Sequence, residues 1–144
     1  MRVRRTPNPP RRGMVEVLET AIVLPVVMML TFGTWSTAMG VYYYQLVASL
    51  AREGARYASV HGTQYAADTG NSAATPADIY NNAILPMAMA VGLTPSHLIY
   101  AVIWNTTNSP YNSVIVTVTY QWTPDLYITG PLNLTSTSVM PMSY

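Results

Sequence analysis

The residues best suited to chemistry lie close together near the N-terminus. Five arginines occupy the first twelve positions, Gly13 follows them, and Glu16 and Glu19 come next. A carboxylate beside an apolar segment is costly to bury and usually has a cationic partner. An α-amine freshly exposed by cleavage after Gly13 would be such a cation when another chain supplies it. One interpretation of the pattern is therefore that Glu19 or Glu16 pairs with such a cation from another chain.

A simpler interpretation of the two acids is also open. Glu16 and Glu19 are three residues apart, so they lie on neighbouring faces of one helix. Both carboxylates could remain in water at a membrane interface, where the positive end of the helix dipole favours them. The residues alone do not separate this interpretation from charge pairing.

The rest of the chain offers no catalytic constellation. His61 and His97 are far apart, and neither has a further ligand at metal-binding spacing. The string Asp68-Thr69-Gly70 occurs once, whereas aspartic-protease chemistry needs two aspartates held against each other. The absence of cysteine excludes thiol catalysis and disulfides. The sequence therefore predicts a protein that is not an enzyme, with no cofactor, no metal and no small-molecule substrate.

The charges are few and unevenly placed. Only 9% of the 144 residues are charged, against roughly 25% in an average soluble domain. Residues 1–13 carry five of the seven positive charges and no acid, whereas residues 14–144 carry two arginines against six acids. The basic cluster adjoins an apolar run rather than lying on a folded face, which argues against a nucleic-acid partner.

A long apolar run must position these residues. No charged residue occurs between Glu19 and Arg52, and the most apolar part is 21–39. About 20 helical residues cross a bilayer, and unpaired backbone groups are not tolerated there. We therefore expect a transmembrane helix at about 20–42, bent at Pro25. Because the arginines precede it, the N-terminus should stay cytoplasmic and the C-terminal part should be exported.

Both the processing of this helix and its packing partner have alternatives. A cleavable secretory signal has a shorter apolar core of about 7–15 residues, but an uncleaved signal anchor remains open. Small residues at Gly33, Gly40 and Gly54, together with the bend at Pro25, mark candidate helix-packing positions. The helix could pack there against another chain or against its own domain.

The remaining chain predicts a small exported domain over 76–144. The long helix should occupy 14–62, ending at Gly62 as C-cap, with an inward face that starts at Val41 and Tyr44 and continues through Val47. Residues 63–75 are small and polar, which is typical of a loop. Thr75 and the proline after it begin a second helix, which should run to about Val91 with an interruption at Pro86.

Three strands should complete the domain. Apolar and polar residues alternate over 98–104, 113–122 and 132–140, as in half-buried β-strands. Three antiparallel strands behind helices give an α+β fold. The predicted architecture is a long N-terminal helix followed by a short helix and an antiparallel sheet.

Several of these segments resemble the TadE-like family, the minor pseudopilins of the tight-adherence pilus. The resemblance is carried by Arg11-Arg12-Gly13, by Glu19-x-Ala21-x-Val23-x-Pro25, by Gly33, and by the run from Ala51 to Ala58, AREGARYA. The C-terminal strands are similar to the family's β tail. The resemblance implies a pilin-like fold and a structural role in a pilus that serves surface adhesion.

The resemblance also implies a processing pathway. Residues 1–13 would be a basic leader removed by a prepilin peptidase, and the mature helix would anchor the subunit before it joins other pilin subunits. The family's glutamate normally stands fifth in the mature chain. A cut after Gly13 makes Glu19 sixth and Glu16 third, whereas a cut after Met14 makes Glu19 fifth but loses the glycine.

A different class of function competes with this one. An uncleaved, signal-anchored envelope protein would use its exported domain to bind a partner or ligand. Exposed aromatic residues would then form the binding surface, with Tyr111, Trp122 and Tyr127 as candidates.

Overall fold

The computed structural model describes residues 12–124 and 130–143. Within them the helices are α1 (Arg12–Val60), α2 (Thr63–Thr69), α3 (Pro76–Ile79) and α4 (Leu85–Ala90), with a π-helical turn at Tyr80–Ile84 and a 3₁₀ turn at Pro95–His97. The strands are β1 (Leu98–Trp104), β2 (Ser113–Trp122) and β3 (Leu132–Pro141). The predicted α+β fold is confirmed, while most of the predicted leader lies outside the described residues.

The chain divides into two compact units, Met1–Thr37 and Ala38–Tyr144. In the first unit, the described side chains from Gly13 onward are exposed, except that of Ser36, which is half-buried. Pro25 lies inside the helix. Four threonine hydroxyls donate to the carbonyl four residues earlier, as Thr20 does to Glu16 at 2.8 Å and Thr34 does to Leu30 at 2.7 Å. These bonds satisfy the hydroxyls without a partner outside the helix.

The second unit is built on a stripe of α1 that packs against the sheet. Its buried positions recur every three or four residues, the spacing of one helical face: Val47, Leu50, Ala51, Gly54, Ala55 and Ala58. All but one of these residues are small or β-branched, so the helix axis can approach the strands closely.

The inward face of α1 was placed wrongly at its start. Val41 is 56% exposed and Tyr44 is 46% exposed. Tyr43 packs inward instead, with its ring centroid 6.0 Å from that of Tyr120 and 5.8 Å from that of Trp122. Tyr43 and Val47 are four residues apart and so share a face, and the aromatic rings of β2 decide which tyrosine of the run faces the sheet.

The sheet has the order β1-β2-β3, and both pairings are antiparallel. The even-numbered side chains of the three strands turn toward the core, and the odd-numbered ones turn away. This alternation confirms the predicted strand pattern. The register continues without a slip from Leu98↔Tyr120 to Trp104↔Val114 and from Ser113↔Pro141 to Trp122↔Leu132.

The segment predicted as a loop over 63–75 contains a short helix. Residues Thr63–Thr69 form α2, which ends at Gly70 in the left-handed region with φ 75°. Gly62 has φ −84° and starts α2, so its predicted role as the C-cap of α1 is wrong. The sequence of α2 contains glutamine and alanines, which favour helix, and the amide of Gln64 donates to the carboxylate of Asp68 at 3.0 Å.

The second predicted helix begins at Thr75 with a complete capping box. The Thr75 hydroxyl accepts from the Asp78 backbone N–H, and the Asp78 carboxylate accepts from the Thr75 backbone N–H at 2.9 Å and from its hydroxyl at 2.7 Å. These donors hold the pKa of Asp78 below the usual carboxyl value. The predicted interruption is the π-helical turn, which directly precedes Leu85 and Pro86. In a regular α-helix a proline ring clashes with the carbonyl group four residues earlier. The wider π-helical turn before Pro86 relieves that clash.

Candidate assembly site on the N-terminal helix

The predicted processing residues lie on an open part of α1. Gly13 is exposed, and a Cβ placed there would have no atom within 4 Å. Met14 is 82% exposed. In the unit to which they belong, nothing described covers the backbone between these two residues. Cleavage at this bond stays a prediction.

Glu16 and Glu19 lie one helical turn further on, and both side chains are exposed. Together with Thr20, Val23 and Val27 they line one shallow strip of the helix surface. Two carboxylates thus stand at the head of an apolar strip. A cation from another chain would reach them there without displacing any described side chain.

The apolar part of this unit has no cover of its own. Its large side chains are about half exposed or more, for example Met29 at 78%, Leu30 at 66% and Trp35 at 63%. Exposed apolar surface of this extent marks a membrane or protein contact. Within the described residues one helix, Gly13–Val60, is long and apolar enough to cross a membrane, and its most apolar window has no buried residue.

The predicted packing positions separate into two groups. Gly33 is exposed with no atom within 4 Å of a Cβ placed on it, so it is open to a neighbour from outside the chain, as is the segment around Pro25. Gly40 and Gly54 instead approach the chain's own domain. A Cβ on Gly40 would lie 3.1 Å from the Trp122 ring, and one on Gly54 would lie 3.1 Å from Ile84.

Gly40 and Gly54 therefore pack against their own domain, which is one of the two alternatives that the sequence had left open. Gly54 also lies against β2, since its Cβ would be 3.2 Å from Val116. Both glycines allow α1 to touch the sheet at a distance that a methyl group would prevent. Their contacts are within the domain, whereas packing between chains at Gly33 and Pro25 stays a prediction.

The aromatic residues of the competing hypothesis are dispersed. Trp122 is only 8% exposed, because Gly40 and Tyr43 cover it, so its prediction as a surface residue was wrong. Tyr111 is fully exposed at 103% and has φ 70°. Tyr127 lies outside the described residues. Of the three, the structure shows only Tyr111 in a position to meet a partner.

Other candidate chemistry is not assembled in the described part of the chain. His61 stacks on the Tyr57 ring with centroids 4.0 Å apart, and its Nδ1 lies 2.9 Å from the Tyr57 carbonyl oxygen. Residues 12–124 and 130–143 contain no group of three His, Asp or Glu side chains able to hold a metal ion.

Sequence reasoning missed Tyr43 as a packing residue. It placed Val41 and Tyr44 on the inward face of α1 instead. The available signal was the spacing of four from Tyr43 to Val47, which places both on one helical face.

Comparison with known proteins bears on the N-terminal part. No curated protein and no solved structure matches the chain. The family model described as TadE-like protein matches residues 13–56, a range that contains the apolar segment, both glutamates and the glycines of α1. The match supports the coarse assignment to proteins associated with the tight-adherence pilus. Residues 13–56 thus confirm the predicted family resemblance, which is to the TadE-like proteins.

Proposed function

We propose that this chain is a pilin-like subunit of a tight-adherence pilus, cleaved after its basic leader and then assembled with other pilin subunits. A prepilin peptidase would cut after Gly13. The mature chain would be held in the bacterial inner membrane by α1, with its C-terminal domain exported. From there it would enter the pilus or its tip and contribute to surface adhesion.

One observation carries this proposal. The segment from Gly13 to Thr37 is a helix with almost no buried side chain, and its only charged side chains beyond Arg12 are Glu16 and Glu19. An apolar helix that stays uncovered in the single chain requires lipid or other helices around it. A subunit that moves from membrane to filament meets both environments in turn. The two acids at its start supply a charge that a neighbouring α-amine can neutralise.

The cleavage is tested by replacing Gly13. We expect Gly13→Leu to block processing, because a bulky side chain at the residue before the cut must fit the peptidase site. Gly33→Leu is the matched control, since Gly33 is also an exposed glycine of α1 with no atom within 4 Å of a Cβ. The masses of the mature proteins from the membrane fraction provide the measurement.

N-terminal sequencing of the mature protein without substitutions decides the position of the cut relative to Glu19. A chain that begins at Met14 supports a cut after Gly13, and one that begins at Val15 supports a cut after Met14 with Glu19 fifth. A mature protein that retains residues 1–13 would overturn the proposal.

That last outcome would favour the signal-anchored alternative. The observation behind it is Tyr111, which is fully exposed in the loop between β1 and β2. An uncleaved chain whose partner binding is lost in Tyr111→Ala would fit this second function.

A further inference from the structure

The sheet leaves two strand edges without backbone partners. In the order β1-β2-β3, β1 and β3 are the outer strands. The Asn105 N–H donates to the Ser113 carbonyl at 2.9 Å, and the Met142 N–H donates to the Asn112 carbonyl at 2.7 Å. Because inward and outward backbone groups alternate along an antiparallel strand, these bonds identify the outward groups. They belong to Leu98, Tyr100, Val102 and Trp104 on β1, and to Asn133, Thr135, Thr137 and Val139 on β3.

The Leu98 N–H already donates to the Pro95 carbonyl. The other outward groups have no recorded partner among the described residues, and these edges lack two of the usual protections, charged side chains and bulges. Natural edge strands carry charged side chains, bulges or prolines that prevent pairing with another chain. None of the three strands contains a charged residue, and both registers run without a bulge. Pro141 stands at an outward position of β3 and has no N–H to offer, and Pro131 precedes the strand.

The two edges match in length. The prolines confine the free donors of β3 to 133–139, and β1 is 7 residues long. On β1 the N–H groups of Tyr100, Val102 and Trp104 remain as donors, because that of Leu98 is bonded to Pro95. Two segments of this length can still satisfy most of each other's outward backbone groups. We propose that β3 of one chain pairs in parallel with β1 of a second copy, so that the sheets of successive subunits join edge to edge.

The direction of pairing follows from where α1 enters the domain, and here the inference rests on the proposed function. Within the second unit, Gly40 lies against Trp122 and Gly54 lies against Val116. The helix therefore enters at the end of the sheet where β2 finishes and runs opposite to β2. Antiparallel pairing of β3 with its own copy would put the two entry points about a strand length, roughly 30 Å, apart. Chains anchored in one membrane need both entry points at the same end.

Parallel pairing of β3 with β1 meets this condition. Both strands are antiparallel to β2, so they run the same way, and each added copy keeps the orientation of the one before it. The contact uses two different edges, so it does not close on itself as a two-fold dimer does. Such a contact can be repeated along a filament.

The side chains on the outer face define the register. In one chain Ile103, Ile115 and Val139 form an apolar row across the sheet. Val139 and Ile103 stand at its two ends and are each 59% exposed. Placing Thr137 beside Ala101 of the second copy puts Val139 beside Ile103 of that copy. The apolar row then continues from one subunit to the next, and no like charges meet.

Cysteine cross-linking tests this register in the full chain, in the membrane of cells that produce it. The protein has no cysteine of its own. Within one chain, Ala101 and Thr137 flank β2, about 9.6 Å apart, which is beyond the Cα separation of about 7 Å that a disulfide spans. Mild oxidation of the variant with Ala101→Cys and Thr137→Cys should therefore give only links between chains. We expect a ladder of dimers, trimers and larger species on a non-reducing gel.

Two matched variants accompany it. The variant with Ile103→Cys and Thr137→Cys keeps the cysteine at 137 but shifts its partner by two residues along β1. The two cysteines are then out of register, so the ladder should be several-fold weaker. The variant with Thr117→Cys and Thr137→Cys joins a directly paired position of β2 and β3, whose hydroxyl oxygens lie 2.9 Å apart. Its link within one chain reports that the sheet has formed. Ile99→Cys with Thr135→Cys repeats the test in the same register.

Each result has a defined meaning. A ladder in the matched pairs alone supports the inference. Dimers formed by Thr137→Cys alone would show antiparallel pairing and overturn it, and so would the absence of a ladder when the sheet is formed. The N-terminal mass of the same samples is measured in parallel. A processed chain without a ladder refutes edge pairing and leaves the proposed function intact. An uncleaved chain with a ladder supports edge pairing and refutes the proposed processing.

Discussion

At the scale of single residues, the distance between α1 and the sheet depends on the absence of two methyl groups. Gly40 and Gly54 stand where α1 touches Trp122, Ile84 and Val116. Helical glycine lowers stability by roughly 0.5–1 kcal/mol relative to alanine, so its presence at a buried position needs a packing reason. The contacts of 3.1 and 3.2 Å that a Cβ would make at Gly54 supply that reason.

We expect Gly54→Ala to destabilise the domain by about 1–3 kcal/mol, the usual penalty for overpacking a core. Gly33→Ala is the control because a Cβ there meets no atom within 4 Å, and it should be neutral or stabilising. Chemical denaturation of both variants in detergent provides the measurement. Equal stabilities for the two variants would contradict the packing role of Gly54.

The capping box at Thr75 predicts a pH dependence. The donors from Thr75 lower the pKa of Asp78, so the folded state favours the carboxylate more than the unfolded state does. This stabilisation is fully present above the ordinary carboxyl pKa and is lost as the pH falls through the lowered value.

Asp78→Asn should therefore lower the thermal midpoint at neutral pH and have less effect in acid. Thr75→Ala removes the hydroxyl that donates to the Asp78 carboxylate and should reduce the pH dependence. Thr75→Ser keeps a hydroxyl at this position and should keep the pH dependence. Thermal unfolding between pH 2 and pH 7 measures these differences. A difference between the parent and Asp78→Asn that stays constant with pH would exclude this mechanism.

At the scale of elements, α1 serves two environments with one continuous helix. From Gly13 to Thr37 every side chain except that of Ser36 is exposed, and from Val47 one face is buried against the sheet. The tyrosine run lies between these parts, and Tyr43 alone stacks on the rings of β2. The element is therefore anchored to the domain at a defined aromatic contact.

Tyr43→Ala should destabilise the domain by about 1–3 kcal/mol, because it removes two aromatic contacts and part of the cover over Trp122. Tyr44→Ala is the matched control, since Tyr44 is 46% exposed and its loss should change stability by less than about 0.5 kcal/mol. Fluorescence of the tryptophans during denaturation follows both variants. A larger effect from Tyr44 would mean that the helix face is assigned wrongly.

Local patterns predicted the strands well and the irregular segments less well. Alternation over 113–122 names the buried side of β2 without any knowledge of its neighbours, because side chains point to opposite faces in turn. The short helix α2 was missed because small polar residues are typical of loops. Its first residue has a distant partner, since the Thr63 N–H donates to the Asn108 carbonyl at 2.9 Å. The residues on either side of it are joined by the bond from the Ala74 N–H to the His61 carbonyl at 2.8 Å.

At the scale of the whole molecule, the two units differ in character: the described part of the first is an exposed apolar helix, and the second has its own buried core. Among the residues that the structure describes, the buried apolar ones lie between Val47 and Met142. The first unit contributes instead an uncovered apolar helix with two acids near its start. This division fits a subunit whose domain folds on its own and whose helix takes part in assembly.

We expect Glu19→Ala to reduce incorporation into pili at least several-fold while membrane insertion and cleavage proceed, because only the charge pairing between chains is lost. Glu16→Ala is the matched control on the neighbouring helix face and should have the smaller effect. The measurement is the amount of the protein in sheared pili relative to its amount in the membrane fraction. If Glu16→Ala abolishes incorporation and Glu19→Ala does not, Glu16 is the pairing acid.

The sequence by itself determined the properties that depend on near neighbours along the chain. A run without charge, alternation with a period of two, and a threonine before a proline each report local structure. Together they indicated the apolar helix, the three strands and the helix start at Thr75.

Only the tertiary structure decided which surfaces are used inside the domain and which remain open. Gly40 and Gly54 pack within the chain while a Cβ on Gly33 meets no described atom within 4 Å, Trp122 is buried, and β1 and β3 are the outer strands of the sheet. These outcomes depend on which segments meet after folding, and residues far apart in sequence, such as Gly54 and Val116, determine them. Packing in a dense core distinguishes positions by tenths of an ångström, a detail that no local pattern contains.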